Sequence, residues 1–238
     1  MRVTAIIPTY NERENIKILI PKVLEVFREE AIDGGVIIVD DASPDGTGEA
    51  AEELAKNSDR ILVLKRPGKL GIGSAYKDGF RYALSNEFDG VIEMDADLSH
   101  NPAYLPDFVG KLDEGYDLVI GSRYVPGGEI PKWSFSRRLI SSLTNRTAKL
   151  LLGLTPKDVT SGYRAYSSHA LRKIDYSSVK SDGYAFQVEM VMHCQRASLR
   201  ICEIPIAFVD REKGESKLNR REMWRFLKSI IRLTLMGK

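Results

Sequence analysis

The chain contains little cysteine and no long apolar run. Cys194 and Cys202 are its two cysteines among 238 residues, too few for a disulfide framework and without partners at zinc-ligand spacing, so we expect both to be buried thiols. No stretch reaches the roughly 18 to 20 apolar residues that a membrane span requires. The N-terminal sequence enters a strand pattern at once and meets Pro8 before a signal-peptide core forms. We therefore expect a cytosolic chain without a spanning helix.

The signatures of several enzyme classes are also missing. There is no nucleophile elbow of the kind found in triad hydrolases, no Walker A sequence, and three histidines in all. The glycine-rich segment at residues 68–79 has Tyr76 where a dinucleotide fingerprint needs its third glycine, and it follows the third predicted strand instead of the first. A triad hydrolase, a P-loop NTPase and an NAD-dependent enzyme are therefore not predicted.

Charge is unevenly distributed, although the formal net charge is only +2. Residues 132–157 include six basic and no acidic side chains, and residues 211–238 include nine basic and three acidic ones. These two segments together carry +12, which leaves −10 on the rest of the chain. Basic charge is therefore concentrated in the second half of the chain.

Strand-like and helix-like segments alternate through the first half. Residues 3–10 and 35–43 are short apolar runs that end in polar residues, and residues 14–31 between them have apolar side chains at helical spacing. Continuously apolar strands that alternate with helices indicate an α/β fold, with a Rossmann-like, mainly parallel central sheet and helices on both faces. In the second half, residues 136–154 and 219–238 indicate basic amphipathic helices, and residues 161–174 indicate a turn followed by a short helix.

Polar residues follow four of the predicted strands. Because the carboxyl ends of parallel strands share one edge of a sheet, where ligands of open α/β folds bind, these side chains are expected to line one crevice. They are Tyr10, Asn11 and Glu12; Asp40 and Asp41; Asp95 and Asp97; and Gly121, Ser122 and Arg123.

The segment Asp95-Ala96-Asp97 has two interpretations. An Asp-x-Asp after a strand commonly forms a turn or a helix cap. Two hard carboxylates at a strand end also suit Mg²⁺ or Mn²⁺ that holds substrate phosphates at the same time. An EF-hand is excluded, because the glycine and the further acidic ligands are missing. The pattern by itself leaves the turn and the metal site open.

Cations in the second half complement these carboxylates. Arg211, Lys213 and Lys217 lie in a short segment with Gly214 and Ser216. Such charge runs are commonly solvated surfaces, but arginine can bind a diphosphate through two hydrogen bonds while lysine adds a point charge. Carboxylates for a metal together with cations for phosphates predict a site for a nucleoside diphosphate.

Nine segments together resemble family 2 glycosyltransferases with the GT-A fold, and most closely the dolichol-phosphate mannose synthases. The resemblance extends over nearly the whole chain and depends on the order and spacing of the segments. They are IIPTYNERENI, VDDASPDGT, KLGIGSAYKDGF, MDADLSHNP, DLVIGSRYVPGG, RRLISSLTNRTAKLLLG, TSGYRAY, DGYAFQVEM and REKGESKL. The resemblance implies one GT-A (nucleotide-diphospho-sugar transferase) catalytic domain over residues 1–238. Its first half, 1–125, would bind the nucleotide sugar, and its second half, 126–238, would bind the acceptor and end in the basic amphipathic helix.

The resemblance also implies roles for individual residues. The implied nucleotide-sugar site consists of Pro8, Tyr10, Glu12, Val39, Asp41, Asp95, Ala96, Asp97, Ser99, Arg123, Arg211 and Lys217. Asp95, Asp97 and Ser99 are implied to hold Mg²⁺ or Mn²⁺. The implied catalytic residues are Asp97, Arg123, Arg137 and Ser141, the last three holding the acceptor phosphate.

The implied reaction is transfer of mannose from GDP-mannose to dolichyl or another polyprenyl phosphate, with inversion, for protein glycosylation or lipid-linked glycan synthesis. A phosphate acceptor is already anionic at neutral pH, so it needs positioning and no general base. A related enzyme hypothesis is a polyprenyl-phosphate glucosyltransferase, or another family 2 enzyme, that uses UDP-glucose or a different nucleotide sugar. The expected location is the cytosolic face of a membrane, either the endoplasmic reticulum or the plasma membrane.

A non-enzymatic hypothesis is a binding module for a nucleotide sugar or for nucleic acid that uses the basic second half. The acidic sheet edge argues against it, so we predict no nucleic-acid partner. In the terminal helix, basic residues recur at helical spacing and apolar residues are offset towards another face; they are Arg221, Arg225, Lys228 and Arg232, and Met223, Leu227, Ile230 and Ile231. This pattern fits either a helix packed on the core or one lying on anionic lipid, so a membrane surface is a predicted partner. The resemblance also allows for a small membrane-anchoring subunit.

Overall fold

The computed structural model describes residues 1–131, 135–208 and 220–236. The side chains of residues 135–137, 220–223 and 236 are likewise outside the described part. Three residues of the expected site are affected: Arg211 and Lys217 lie outside the described residues, and so does the side chain of Arg137.

In the described part of the chain, seven strands form one sheet and eight α-helices cover it. The strands are β1 (Arg2–Thr9), β2 (Asp33–Asp40), β3 (Ile61–Lys65), β4 (Gly90–Glu93), β5 (Leu118–Ser122), β6 (Arg164–Ser167) and β7 (Ile201–Pro205). The helices are α1 (Arg13–Glu29), α2 (Thr47–Lys56), α3 (Ile72–Ser85), α4 (Leu105–Asp113), α5 (Phe135–Leu152), α6 (Ser168–Lys173), α7 (Tyr184–Arg196) and α8 (Arg220–Met236). Two 3₁₀ turns lie at Pro102–Tyr104 and Tyr176–Ser178.

The strand order is β3-β2-β1-β4-β6-β5-β7, and every strand except β6 runs in the same direction. The prediction of a mainly parallel sheet is therefore confirmed. The prediction that residues 161–174 begin with a turn alone is wrong, because Arg164–Ser167 form the antiparallel strand β6 between β4 and β5. A four-residue run that starts with arginine carries too little strand pattern to be recognised from sequence.

Apolar side chains cover both faces of the sheet. In β1, Ile6 belongs to one buried cluster, whereas Ala5 and Ile7 belong to the other, as the period-2 geometry of a strand requires. The cluster around Ile6 includes Phe80 of α3, and the opposite cluster includes Leu19 of α1. Helices on both faces were predicted, and the structure confirms them.

Helix α8 packs on the core through one stripe of its surface. Ile230 and Leu233 are almost fully buried in the cluster that also contains residues of α7. The Arg232 guanidinium donates to the Ser181 hydroxyl at 2.8 Å and lies 3.2 Å from the Glu189 carboxylate. These contacts fix which face of α8 points inward.

Two other sequence expectations can be compared with the structure. Cys194 is buried, but Cys202 is only half-buried. Burial raises the pKa of the Cys194 thiol to about 12 and that of the Cys202 thiol to about 11, so both are protonated at neutral pH. Among the described residues, no helix combines the length and the apolar character that crossing a bilayer demands.

Candidate active site

The sheet topology brings the predicted polar residues to one edge. Six strands run in parallel, so the residues after β1, β2, β4 and β5 lie at their shared carboxyl end. Strand β6 is antiparallel, so the segment just before it, residues 158–163, arrives at the same edge. Backbone hydrogen bonds join the strand ends, since Asp41 N donates to Thr9 O at 3.1 Å and Gly121 N donates to Tyr163 O at 2.9 Å.

Three of these strand ends contain a residue with a left-handed backbone. Asn11 follows β1 with φ 61°, Ala42 follows β2 with φ 52°, and Leu98 follows β4 with φ 65°. A residue other than glycine adopts this conformation at an energetic cost, and residues in such a conformation cluster at functional sites. Here each one turns the chain sharply after its strand, next to a predicted site residue.

The Asp95-Ala96-Asp97 segment follows β4 directly. Asp97 is almost buried, and its Oδ1 accepts a hydrogen bond from Ser99 N at 3.1 Å, which is an Asx-type turn. Asp95 is more exposed, with its Oδ1 3.5 Å from the Tyr76 hydroxyl of α3. Ala96 is buried between them. The turn interpretation is therefore realised, and it holds both carboxylates at the mouth of the crevice.

The donor atoms here fit a hard divalent cation. Asp95 and Asp97 supply carboxylate oxygens, and the Ser99 hydroxyl is buried with no hydrogen-bond partner among the described residues. Buried hydroxyls almost always have a partner, so a ligand at Ser99 would satisfy it. The described ranges contain no cluster of three or more acidic, histidine or cysteine side chains suited to a metal. A cation held by the Asp95 segment would thus keep coordination positions for substrate oxygens, as is usual for Mg²⁺.

His100 and the segment before β6 form one wall of this site. The ring of His100 stacks on Tyr163 with centroids 4.7 Å apart. Its Nδ1 accepts a hydrogen bond from Asp95 N at 2.9 Å, so the neutral ring carries its proton on Nε2, which lies 3.9 Å from Asp95 Oδ2. A side chain at Gly162 would contact both His100 and Asp95, at 3.6 and 3.7 Å. Sequence reasoning assigned no role to this wall.

The expected nucleoside residues lie after β1 and β2. Tyr10 is half-buried, and the Lys69 ammonium lies 3.7 Å from the centre of its ring. The Glu12 carboxylate accepts from the Asn15 side chain at 2.6 Å. Asp41 is buried after β2 and binds the loop that follows β3. These residues adjoin the Asp95 segment because β1 pairs with both β2 and β4.

Two other expected nucleoside residues are part of the strands themselves. Pro8 of β1 pairs in register with Val39 of β2. The Val39 side chain is fully buried in the core cluster, so Val39 can face a ligand only through its backbone.

Arg123, directly after β5, is held by a carboxylate that the sequence did not reveal. Its Nε and Nη2 donate to the two oxygens of Asp158 at 2.7 and 2.8 Å, and Nη2 also donates to the Thr160 hydroxyl at 2.9 Å. Burial disfavours the charged form of each side chain, but the attraction and the hydrogen bonds between Arg123 and Asp158 are stronger than this effect. The pKa of Arg123 is therefore raised and that of Asp158 is lowered. Both side chains are therefore ionised at neutral pH.

Helix α5 reaches the same corner through Ser141. The Tyr124 hydroxyl, one residue after Arg123, lies 2.9 Å from Ser141 Oγ. Further along α5, Asn145 Oδ1 accepts from Val159 N at 2.9 Å. The predicted acceptor residues Arg123 and Ser141 are thus brought together around residues 158–160.

A family model described as glycosyl transferase family 2 matches residues 4–175 of the chain. The undecaprenyl-phosphate mannosyltransferase of Micrococcus luteus is 46% identical over 219 residues, which cover 92% of this chain and 88% of that protein. The polyprenol monophosphomannose synthase of Mycolicibacterium smegmatis is 43% identical over 219 residues, which cover 92% of this chain and 81% of that protein.

Solved structures resemble the fold at lower identity. Glucosyl-3-phosphoglycerate synthase from Mycobacterium tuberculosis, in complex with Mn²⁺, UDP-glucose and phosphoglyceric acid, has a TM-score of 0.68 and 20% identity, and the match covers 99% of this chain and 79% of that chain. Its complex with UDP has a TM-score of 0.67 and 19% identity over the same shares. At this identity the likeness concerns the fold.

Proposed function

The chain belongs to glycosyltransferase family 2 and has the GT-A fold, and from this premise we propose that it transfers mannose from GDP-mannose to a polyprenyl phosphate with inversion. The proposed acceptor class follows from two relatives at 46% and 43% identity, whose names specify undecaprenyl phosphate and polyprenol. Dolichyl phosphate belongs to the same class. The observation that carries the proposal is the carboxylate pair Asp95 and Asp97 at the same sheet edge as Arg123.

The proposed roles divide between donor and acceptor. Asp95 and Asp97, with Ser99 beside them, would hold Mg²⁺ or Mn²⁺. A divalent cation bound there supplies positive charge to the diphosphate of the donor as it leaves. Arg211 and Lys217, which lie outside the described residues, remain proposed contacts to the same diphosphate.

The acceptor phosphate is the nucleophile in this proposal. It is anionic at neutral pH, so no side chain has to remove a proton before it attacks the anomeric carbon. Its difficulty is approach to another anion, which Arg123, Arg137 and Ser141 would ease by binding and orienting it. Arg123 suits this role because Asp158 fixes the plane of its guanidinium.

An exposed apolar face on α5 and α8 supports a membrane-bound acceptor. Nine of the fourteen exposed large hydrophobic side chains in the described residues lie on these two helices, which pack against each other. We call this set the α5–α8 face: Leu139, Ile140, Leu143, Leu150 and Leu151 of α5, and Trp224, Leu227, Ile231 and Leu235 of α8. An apolar surface of this kind on a protein without a partner marks an interaction site.

The charge around the α5–α8 face favours anionic lipid. The sequence of α5 contains four basic residues and no acid, and that of α8 contains five basic residues and one acid. Arg225 and Lys228 of α8 are exposed beside the apolar stripe. Ser141 lies on α5 itself, so the face begins next to the proposed acceptor site. We propose peripheral binding through this face, on the cytosolic side of a membrane.

Both halves of the chain are proposed to form one catalytic domain. Strands from residues 1–125 and from 126–238 alternate within one sheet, since β6 lies between β4 and β5. The pair Arg123 and Asp158 joins the two halves in the same way. A small anchoring subunit is not needed by this proposal.

Transfer of radiolabelled sugar tests the proposed reaction. GDP-mannose and UDP-glucose are each incubated with undecaprenyl or dolichyl phosphate and Mg²⁺ or Mn²⁺, and the lipid product is extracted. We expect a mannosyl lipid phosphate from GDP-mannose with the β-configuration. A glucosyl lipid from UDP-glucose, with none from GDP-mannose, would refute the proposed donor.

Binding to vesicles tests the α5–α8 face separately. Replacing Leu143 and Leu227 by glutamate is expected to lower the bound fraction on vesicles of anionic phospholipid by about tenfold or more, because each buried leucine contributes about 1.5 to 3 kcal/mol. Ile18→Glu on α1 is the matched control, since Ile18 is similarly exposed but α1 packs on the other face of the sheet from α5 and α8. Equal loss in the control, or no loss in the double variant, would contradict the proposed surface.

A further inference from the structure

The carboxylate of Asp41 is largely occupied by the protein itself. Its Oδ2 accepts two hydrogen bonds, from Leu70 N and Gly71 N, both at 3.1 Å. Its Oδ1 accepts from Arg66 Nη1 at 2.5 Å. Only 8% of the side chain remains accessible. Asp41 therefore reaches the crevice as a residue that already has three partners.

Arg66 fixes the position of the Asp41 carboxylate. Its side chain is 4% exposed, and besides Asp41 its guanidinium donates to Gly71 O at 3.2 Å and to the Ser74 hydroxyl. Its Nε lies 3.2 Å from the Asp78 carboxylate of α3. A guanidinium held on several sides cannot turn away from Asp41 without breaking its other contacts, so the Oδ1 contact is a constant feature of the site.

The loop that Asp41 binds is restrained on its other side as well. Asp182 Oδ1 accepts from Gly73 N at 2.9 Å. Gly71 has φ 98°, and a side chain there would come within 2.5 Å of Asp182 Oδ2. The β3–α3 loop, residues 66–71, is thus bound by Asp41, and the first turn of α3 directly after it is bound by Asp182. Lys69 of this loop covers the Tyr10 ring, so the loop also adjoins the expected nucleoside residues.

A count of acceptor positions follows from these contacts. An ionised carboxylate offers about four lone-pair positions, two on each oxygen. Oδ2 of Asp41 has both filled by peptide N–H groups, and Oδ1 has one filled by Arg66. Among the described residues, one position remains without a partner, on Oδ1. Guanine presents two adjacent donors, N1–H and the 2-amino group, and a carboxylate that binds both needs two open positions, on one oxygen or on both.

We propose that Asp41 gives an incoming base a single acceptor position, and that Arg66 sets this limit by occupying the other position on Oδ1. This inference rests on the proposed GDP-sugar donor. Asp41 then binds N1–H of guanine and leaves the 2-amino group without a contact to it. Arg66 is a positioning residue that determines base specificity, although it lies below the surface of the site.

Inosine diphosphate tests this inference, because hypoxanthine keeps N1–H and lacks the 2-amino group. The dissociation constants of GDP, IDP and UDP are measured by calorimetry with the full chain and Mg²⁺. We expect GDP and IDP to agree within about threefold. A hydrogen bond from the 2-amino group to the Asp41 carboxylate would make IDP bind about tenfold weaker than GDP, so IDP binding more than about threefold weaker would overturn the inference while leaving the donor proposal intact.

Variants of Arg66 test its part in this limit. Arg66→Met opens the second position on Oδ1, so the preference for GDP over IDP is expected to rise to about fivefold or more, whereas Arg66→Gln keeps a donor and leaves the ratio near that of the unaltered chain. General damage to the loop would weaken both nucleotides equally and leave the ratio unchanged, which would overturn the role of Arg66. Arg60→Met is the control, because Arg60 directly precedes β3 and therefore lies at the end of the strand away from Arg66. If the chain bound UDP but neither GDP nor IDP, both the proposed GDP-mannose donor and the inference about Asp41 would be refuted. This result differs from weak IDP binding, which would refute the inference alone.

Discussion

Replacing Asp158 by alanine is expected to destabilise the fold strongly. Asp158 is fully buried and accepts both arms of the Arg123 guanidinium. It also accepts hydrogen bonds from the backbone N–H groups of Arg123, Thr160 and Ser161, at 3.1 to 3.3 Å. Removing the carboxylate would leave a buried guanidinium and three N–H groups without their acceptor.

The size of the effect follows from the burial of the pair. Breaking a buried ion pair by removing one partner costs about 3 to 5 kcal/mol, because an uncompensated charge stays behind. For a chain of this size, 1 kcal/mol corresponds to about 2 to 4 °C in melting temperature. Asp158→Ala is therefore expected to lower the melting temperature by on the order of 10 °C.

Urea unfolding measures the free energy directly and allows a double-mutant cycle. Arg123→Met alone and Arg123→Met with Asp158→Ala complete the cycle, and the double variant is expected to be more stable than Asp158→Ala because no buried charge remains. Glu53→Ala is the control, since its pair with Lys56 at 2.9 Å is exposed on both sides and is expected to contribute little to stability.

The pair also predicts a pH dependence. Burial alone would raise the pKa of Asp158, but Arg123 outweighs it and the pKa is lowered. The stabilisation by this carboxylate is therefore present at neutral pH and is lost only as the pH falls below the ordinary range of an aspartate. A loss of less than about 1 kcal/mol in Asp158→Ala at pH 7, or a coupling energy below about 1 kcal/mol, would refute the reasoning.

Three further predictions concern other parts of the site. Asp97→Asn is expected to lower transfer activity by about 100-fold or more with an unchanged circular dichroism spectrum, and to weaken Mn²⁺ binding in a metal titration; full activity would remove Asp97 from the site. Gly71→Ala should lose GDP binding in calorimetry, because its left-handed backbone and the nearby Asp182 leave no room for a methyl group; unaltered affinity would show that the loop can adapt. Burial raises the pKa of Glu93 to about 8, so between about pH 4.5 and 8 the native chain keeps a proton that the unfolded chain has lost. The free energy of unfolding, compared with that of Glu93→Gln, should therefore fall by up to about 1.4 kcal/mol per pH unit across that range. A difference in urea unfolding that does not change with pH would contradict this.

The parallel part of the sheet was predictable because its strands are apolar throughout. Runs such as residues 35–40 have no polar interruption, and buried parallel strands require that pattern. Strand β6 was not predictable, because Arg164 opens it and a buried arginine contradicts the usual strand composition. Its guanidinium donates to the carbonyls of Ser161, Val159 and Gln187 at 2.6 to 2.8 Å, partners that only the folded chain supplies.

The candidate site divides in the same way. Asp95, Asp97 and Arg123 were predicted because each follows an apolar strand directly. Asp158 was missed because it precedes a strand that was itself not recognised. In the sequence, Asp158 followed closely by Thr160 and Ser161 is typical of a turn and predicts nothing more. In the structure, the Asp158 carboxylate accepts hydrogen bonds from the N–H groups of Thr160 and Ser161.

Helix α8 packs on the core through one side, as one interpretation of its sequence predicted, and contact of its exposed side with lipid stays a prediction. Ile230 and Leu233 pack on the core, whereas Leu227, Ile231 and Leu235 are exposed. Successive residues of a helix point about 100° apart, so Ile230 and Ile231 face different surroundings although they are chemically identical. Only the orientation of the helix, fixed by its contacts with α7, separates them.

The late position of β6 in the sequence has a consequence for biosynthesis. Glu93 pairs with Arg164 and Gly90 with Ser167, so β4 gains this neighbour only after 71 to 77 further residues have been made. At about 5 to 20 residues per second, the ribosome needs roughly 4 to 15 seconds for that stretch. During this interval β4 is an open edge, and β5 has neither of its neighbours, an arrangement that invites aggregation. The nascent chain is therefore expected to depend on chaperones until four residues near position 165 emerge.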